Sequence, residues 1–422
     1  MAYGLMLVWE FFRFWNTDKV ARYYINPEFV FPSWGFEWIK PIGAEATYTL
    51  YALLGLAAFC ILIGFKYRIA TITYFILYTY FFLIDESRYL NHYYLISMMT
   101  LSMAFIPANI MGSLDKPKIA SDGKLPALYL YLLQFLIAVP YFFGGIAKIN
   151  LDWLQGEPMR TWISHSDPDS GVIQFLSGDI APLVISWGGL LLDLTIVPML
   201  IWKRTRLIAF ISMGLFHIMN SQIFQIGIFP WLMLAATIIL FHPTWKPFWK
   251  IKSVKPESHS VPRYTLVFVS ALVIYNILMP FRHLLYPGNV SWTEEGHKYA
   301  WHMKLRTKKG DHIFYAYDPL TKSKTLIADS GILLPHQTKS LTHPDRVIRY
   351  AKYLKTKFYP NKEVEIRGIV LASLNGRPYA LLMDSTVDLA KAPITLRHNP
   401  IIKTEIPELP PIGKRIYDEE NE

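Results

Sequence analysis

Long apolar runs separated by short polar stretches dominate the first two thirds of the chain. They fall near residues 46–65, 69–84, 93–111, 126–147, 181–202, 206–220, 223–241 and 263–281. A run of about 20 apolar residues crosses a bilayer as a helix, because that conformation satisfies every backbone polar group within the segment. Eight spans are therefore expected. Met1–Trp15 is also apolar, but it is short and holds Glu10 and Arg13. It has neither a basic start nor a small-residue cleavage site, so it reads as the second half of a ninth span, cut short at its start, rather than a signal peptide.

After Phe281 the pattern changes. Tyr299–Leu305, His312–Tyr317, Glu363–Ala372 and Tyr379–Met383 read as strands from their apolar and β-branched content. Asn375-Gly376 suits a hairpin turn between the last two. Asp345–Phe358 reads as a helix, with Thr342 in place to cap it, Pro344 near its first turn, and Val347, Tyr350, Ala351, Leu354 and Phe358 along one face. From Pro400 the chain is Pro-rich and ends in Asp418, Glu419, Glu420 and Glu422, the composition of an extended or disordered tail. The expected architecture is an α-helical polytopic membrane bundle of eight to nine helices over residues 1–281, followed by a small extracytoplasmic α/β domain over 282–422. That domain is β-rich, with one helix and the acidic tail. No internal repeat is visible, which argues against a transporter.

Composition agrees, with 52% hydrophobic and 18% charged residues. The net charge of +10 would suit a nucleic-acid partner, but its distribution assigns it to topology instead. Loops 66–68, 112–125, 203–206 and 242–263 carry thirteen Lys/Arg against three Asp/Glu. Loops 16–45, 85–92 and 148–180 carry six against eleven. Basic loops stay cytoplasmic, so the second set faces outward, together with everything after Phe281. An integral protein of the cell inner membrane is expected, with no nucleic-acid partner. Cys60 is the single cysteine, so no intrachain disulfide forms and the outer domain rests on its own core.

Polar groups inside spans are costly and mark candidate chemistry. Four clusters stand out. Asn91-His92 opens the 93–111 span and suits an interfacial pair as well as a site. In Tyr141–Trp153, Gly144 and Gly145 permit close helix approach, and Lys148 lies at the outer end. Lys148 reads either as a lysine snorkelling to the interface or as a desolvated amine, neutral and able to act as a base. Phe216–Trp231 holds His217, Asn220, Gln222 and Gln225 between two spans, a polar re-entry tolerated only where it lines a cavity or packs in protein. Asp193, mid-span, needs either a partner or a proton. The twelve histidines show no HxxxH or HExxH spacing, and no GxSxG, P-loop or dinucleotide fingerprint occurs, so no metal is expected.

In this order the clusters resemble the vitamin K-dependent gamma-glutamyl carboxylase family and its bacterial relatives, whose membrane part is called the HTTM domain. The similar stretches are Asn91-His92, Gly144–Trp153, Gly188–Leu194 with Asp193, and Phe216–Met233. They continue through Pro280–His283, Trp292-Thr293 and Tyr299–Met303, and more weakly through His343–Asp345, Tyr350-Ala351 and Val387–Leu389. The resemblance implies an enzyme that deprotonates a reduced quinone (reduced vitamin K or menaquinol) with a lysine. With O2 this generates a base that removes the γ-proton of a glutamyl side chain, which then takes up CO2. The quinone leaves as its epoxide. Lys148 falls on the family's basic lysine, and His92 with Asn91 on the residues that assist at the quinone oxygens. His217, Asn220, Gln222 and Trp301 are expected to line the binding site. Arg306 and Lys308 stand where the animal enzymes hold the acceptor with a histidine and an arginine. The implied partners are a protein or peptide bearing glutamate, and membrane lipid. A quinol oxygenase with another acceptor, and a non-enzymatic quinone or lipid carrier, are the competing readings.

Overall fold

The computed structural model describes residues 1–109, 112–115, 126–164, 180–224, 226–241 and 261–416. Gln225, the acidic end from 417, and most of the basic loops 112–125 and 242–263 lie outside the described residues.

Nine helices of nine residues or more build the bundle part of the described residues: α1 (Ala2–Trp15), α2 (Ala44–Ile63), α3 (Tyr67–Ile84), α4 (Asn91–Phe105), α5 (Ala127–Ala147), α6 (Ala181–Ile201), α7 (Arg206–Ile223), α8 (Phe229–Thr237) and α9 (Arg263–Leu278). Five of them are long and apolar enough to cross a membrane: α2, α3, α5, α6, and α9 with its 3₁₀ extension to Leu285. The expected count of eight to nine spans is not confirmed. α1 has 14 residues and α4 has 15. α4 ends at Phe105 because Pro107 follows, and a residue before proline leaves the helical region. α7 has the length but also carries His217, Asn220, Ser221 and Gln222. α8 is short, and starts at Phe229-Pro230. α1 holds its two charges by pairing them: Arg13 donates to both oxygens of the buried Glu10, at 2.7 and 2.6 Å.

The outer part is a four-stranded antiparallel sheet, β1 (Lys308–Tyr317), β2 (Lys324–Leu326), β3 (Glu365–Leu374) and β4 (Ala380–Leu381), in the order β2-β1-β3-β4. Lys308 pairs with Leu374 and Tyr317 with Glu365 at the two ends of the long ladder. Helix α10 (Pro344–Phe358) packs Val347, Tyr350, Ala351 and Leu354 against Phe314, Ile366 and Val370. Phe358, expected on that face, is exposed, and Thr342 does not cap the helix, whose N-cap is His343 without a side-chain bond. The turn at Asn375-Gly376 has φ of 52° and 78°, the left-handed pair that an Asn-Gly hairpin turn requires.

Tyr299–Leu305 is not a strand. Tyr299, Trp301 and Lys304 have φ of 64°, 59° and 50°, and such a backbone cannot lie in a pleated ladder. The tail from Pro400 is extended but not free. Met383 bridges Ile402, Ile416 N donates to Gly376 O, and Arg415 donates to the buried Glu157 at 2.5 Å.

The loops expected to face outward are those that meet the C-terminal domain. Phe31 is part of that domain's core. Gln337 donates to Phe29 O and Asp85, Lys298 pairs with Glu86, and Arg377 grips both oxygens of Asp152 at 2.7 and 2.8 Å.

Candidate functional site

Lys148 caps the C-terminus of α5, and its side chain turns back along the helix it ends. Gly145 lets α6 approach so closely that a Cβ there would stand 2.7 Å from a Leu194 side-chain carbon. That contact brings Asp193 to Lys148, with Nζ to Oδ2 at 2.5 Å and both side chains buried. Trp153 covers the pair, 5.2 Å from the ammonium, and is pinned by Nε1–H donation to Ser186 O at 2.7 Å. Lys148 is therefore neither a snorkelling lysine nor an amine set by desolvation alone. It is hydrogen-bonded to a carboxylate, and the mid-span Asp193 has its partner.

His92 lies in the first turn of α4, buried, with its ring stacked on Phe229 at 5.5 Å. Asn91 accepts from the Tyr89 hydroxyl at 2.9 Å, and that hydroxyl accepts from Tyr299 N at 2.7 Å. The outer segment thus orients the bundle residue. His217 on α7 bonds Tyr141 through Nε2 at 2.8 Å, while its Nδ1 is buried with no partner among the described residues.

Beyond the bundle, Arg306 and Lys308 both pair with Glu294, Lys308 at 3.2 Å, and Lys308 also donates to Trp292 O. His343 approaches the same carboxylate at 3.4 Å. Burial and nearby arginines hold His297 and His343 well below the usual histidine range. Burial together with His283 and Arg306 brings His302 down to about 3. These imidazoles are neutral at pH 7, so the positive charge here belongs to the arginines and lysines. Burial outweighs the pull of Glu294 on Lys308 and brings it down to about 8.

One cavity of about 420 Å³ joins the two ends. Asn91, His92, Lys148, Asp193, His217 and Asn220 line its bundle half, and Lys304, Arg306 and Lys308 its outer half. Gln222 is exposed and does not line it. Trp301 does not line it either. Its ring is buried in the bundle core beside Tyr94, with Nε1 unbonded among the described residues. Residues 1–245 match the HTTM domain, and residues 261–406 match the lumenal domain of vitamin K-dependent gamma-carboxylase. The chain belongs to the vitamin K-dependent gamma-glutamyl carboxylase family. No solved structure matches it.

This carboxylase-family chain is a membrane protein whose C-terminal domain is extracytoplasmic, in agreement with the Lys/Arg asymmetry. The family uses reduced vitamin K, O2 and CO2, and acts on glutamate-containing proteins. The bundle half of the cavity fits a flat hydroquinone. Pro140, Phe216, Phe229 and Met233 give it apolar walls, and Lys148, His92 and the unbonded Nδ1 of His217 supply polar atoms there. Among the described residues no group of three or more His, Cys, Asp or Glu side chains is placed to hold a metal ion.

Glu294 and Lys304 escaped the sequence reading. Glu294 sits in an ordinary-looking Thr-Glu-Glu-Gly turn, and only the fold carries Arg306 and Lys308 to it. Lys304 lies in the stretch read as a strand, where it would have been one more solvated lysine.

Proposed function

We propose that the chain is a vitamin K-dependent gamma-glutamyl carboxylase-like enzyme of the cell inner membrane, which oxygenates a reduced quinone to its epoxide and carboxylates glutamyl side chains with CO2. The observation that carries the reading is the buried Lys148–Asp193 pair, 2.5 Å apart, on the wall of an apolar cavity that also holds His92. The reduced quinone, when bound, supplies with O2 a base strong enough to remove the γ-proton.

Lys148 Nζ takes the proton from a hydroquinone hydroxyl when the proton it shares with Asp193 rests on Asp193 Oδ2. The carboxyl group thus stores the proton and leaves the amine its lone pair. The ammonium formed at Lys148 balances the charge left in a site where an isolated charge is expensive. His92, stacked on Phe229, donates or accepts at an oxygen in the ring plane, and Asn91 is held for the same task by Tyr89. The Gly145–Leu194 contact and Trp153 keep water from the base, which preserves a strongly basic species long enough to act on carbon.

The test is incubation of purified protein with reduced vitamin K, O2, labelled CO2 and a Glu peptide, following both epoxide and fixed label. Both should appear and both should be lost in Lys148→Met. Epoxide without label would make the chain a quinol epoxidase with another acceptor. Neither product would leave a quinone-binding protein without this chemistry.

A further inference from the structure

The two cations expected to hold the acceptor are already occupied. Glu294 gives one oxygen to Arg306 and the other to Lys308, and Trp292 O takes a further Lys308 proton. Glu294 is itself buried. A substrate carboxylate would have to expel this internal carboxylate from a desolvated cluster before touching either cation, and would leave Glu294 unpaired.

Lys304 is in a different state. It lines the same cavity as Lys148 and His92. Its ammonium stands 4.6 Å from the centre of the Phe224 ring and 5.8 Å from that of Trp162, two rings set edge to face. Among the described residues it has no carboxylate partner. Aromatic faces hold an ammonium in place without neutralising it, so its charge remains available to an anion. The backbone that delivers it is unusual. Lys304 and the nearby Trp301 and Tyr299 are in the left-handed region, which side chains with a Cβ enter only where the surroundings enforce it. The enforcement is visible in the burial of Trp301 and Leu305 on either side and in the bond from Tyr299 N to Tyr89. Between the two anchors the chain turns Lys304 out of the core and against Phe224, where α7 ends.

We propose that Lys304, cradled by Phe224 and Trp162, is the subsite that receives the acceptor's carboxylate, and that Arg306 and Lys308 are committed to Glu294 as structure. The inference rests on the acceptor being a glutamyl side chain, and it names the residue that tells Glu from Gln.

The test measures binding without turnover. A fluorescent peptide with one glutamate, and its glutamine counterpart, are titrated into the purified full-length protein in detergent with no quinol present. Wild type should prefer the Glu peptide. Lys304→Met should lose about tenfold in affinity for the Glu peptide, the scale of one charge-assisted hydrogen bond, and little for the Gln peptide. Lys304→Arg should keep most of the preference, which separates charge from damage to the fold. In turnover, Lys304→Met should raise KM for the Glu peptide more than it lowers kcat. A Lys304→Met protein that still prefers Glu overturns the assignment, as does a wild type that shows no preference. A preference lost in Lys304→Met while no label is ever fixed would uphold the subsite and sink carboxylation alone.

Discussion

Replacing Lys148 with Met removes one half of a buried ion pair whose side chains are 7% and 5% exposed. Breaking such a pair costs about 3–5 kcal/mol, because the remaining charge is left without a partner in a medium that cannot solvate it. Asp193 has one escape, which is to take a proton. An ordinary aspartic acid loses its proton near pH 4, so holding it protonated at pH 7 costs about 4 kcal/mol, and this sets a ceiling on the damage. The ceiling falls by about 1.4 kcal/mol for each unit of pH below 7, since the folded variant binds one proton that the unfolded chain, well above its own carboxyl pKa, does not. Lys148→Met should therefore melt well below wild type at pH 8, and the gap should narrow steadily toward pH 5. Adding Asp193→Leu removes the orphaned carboxyl, so the double variant should recover most of the lost stability at pH 8 while making no epoxide. The assay is thermal unfolding of the detergent-solubilised protein across pH, paired with epoxide formation. A single variant as stable as wild type at pH 8, or a double variant no better than the single, would show that the two side chains do not form the pair on which the proton-sharing argument depends.

Three further outcomes are expected. In a Cys60→Ser background, a cysteine at Lys203, in the turn between α6 and α7, should be shielded from an impermeant outside reagent, and one at Lys322, beyond β1, should be labelled. The reverse pattern in intact cells would invert the topology. Arg377→Ala should cost about 2–3 kcal/mol through loss of its two-pronged grip on Asp152 and should expose the junction of bundle and outer domain to limited proteolysis, whereas an unchanged cleavage pattern would mean the clamp is idle. Lys308, held at about 8 against an ordinary 10.5, binds its proton less tightly folded than unfolded. Stability should rise from pH 8 toward pH 10 by about 1.4 kcal/mol per unit, and Lys308→Met should lack that rise; a rise that survives the substitution would assign it to another group.

The membrane part was legible because apolar runs report bilayer crossing almost directly, while the number of spans is confirmed only for five helices by length and composition. α4, α7 and α8 are apolar in sequence, but Pro107, the polar end of α7 and the early stop of α8 shorten them or make them too polar. In the outer domain β1 and β3 followed from their apolar and β-branched content, and α10 from its one apolar face. Tyr299–Leu305 misled because it has the composition of a strand. Its conformation is set by anchors far away in sequence, Tyr89 and Tyr94, and no local pattern records them.

The site divides the same way. Sequence alone singled out Lys148, His92, Asn91 and His217, because polar groups inside apolar runs are expensive enough to need a reason. It also flagged Asp193 as a carboxylate in want of a partner. Only tertiary structure decided that the partner is Lys148, 45 residues away, that Glu294 claims Arg306 and Lys308, and that Lys304 has no carboxylate partner among the described residues at the cavity. The cost of burying a charge belongs to each residue and can be read one position at a time. The means of offsetting it belongs to pairs, and pairs exist only once the helices have packed.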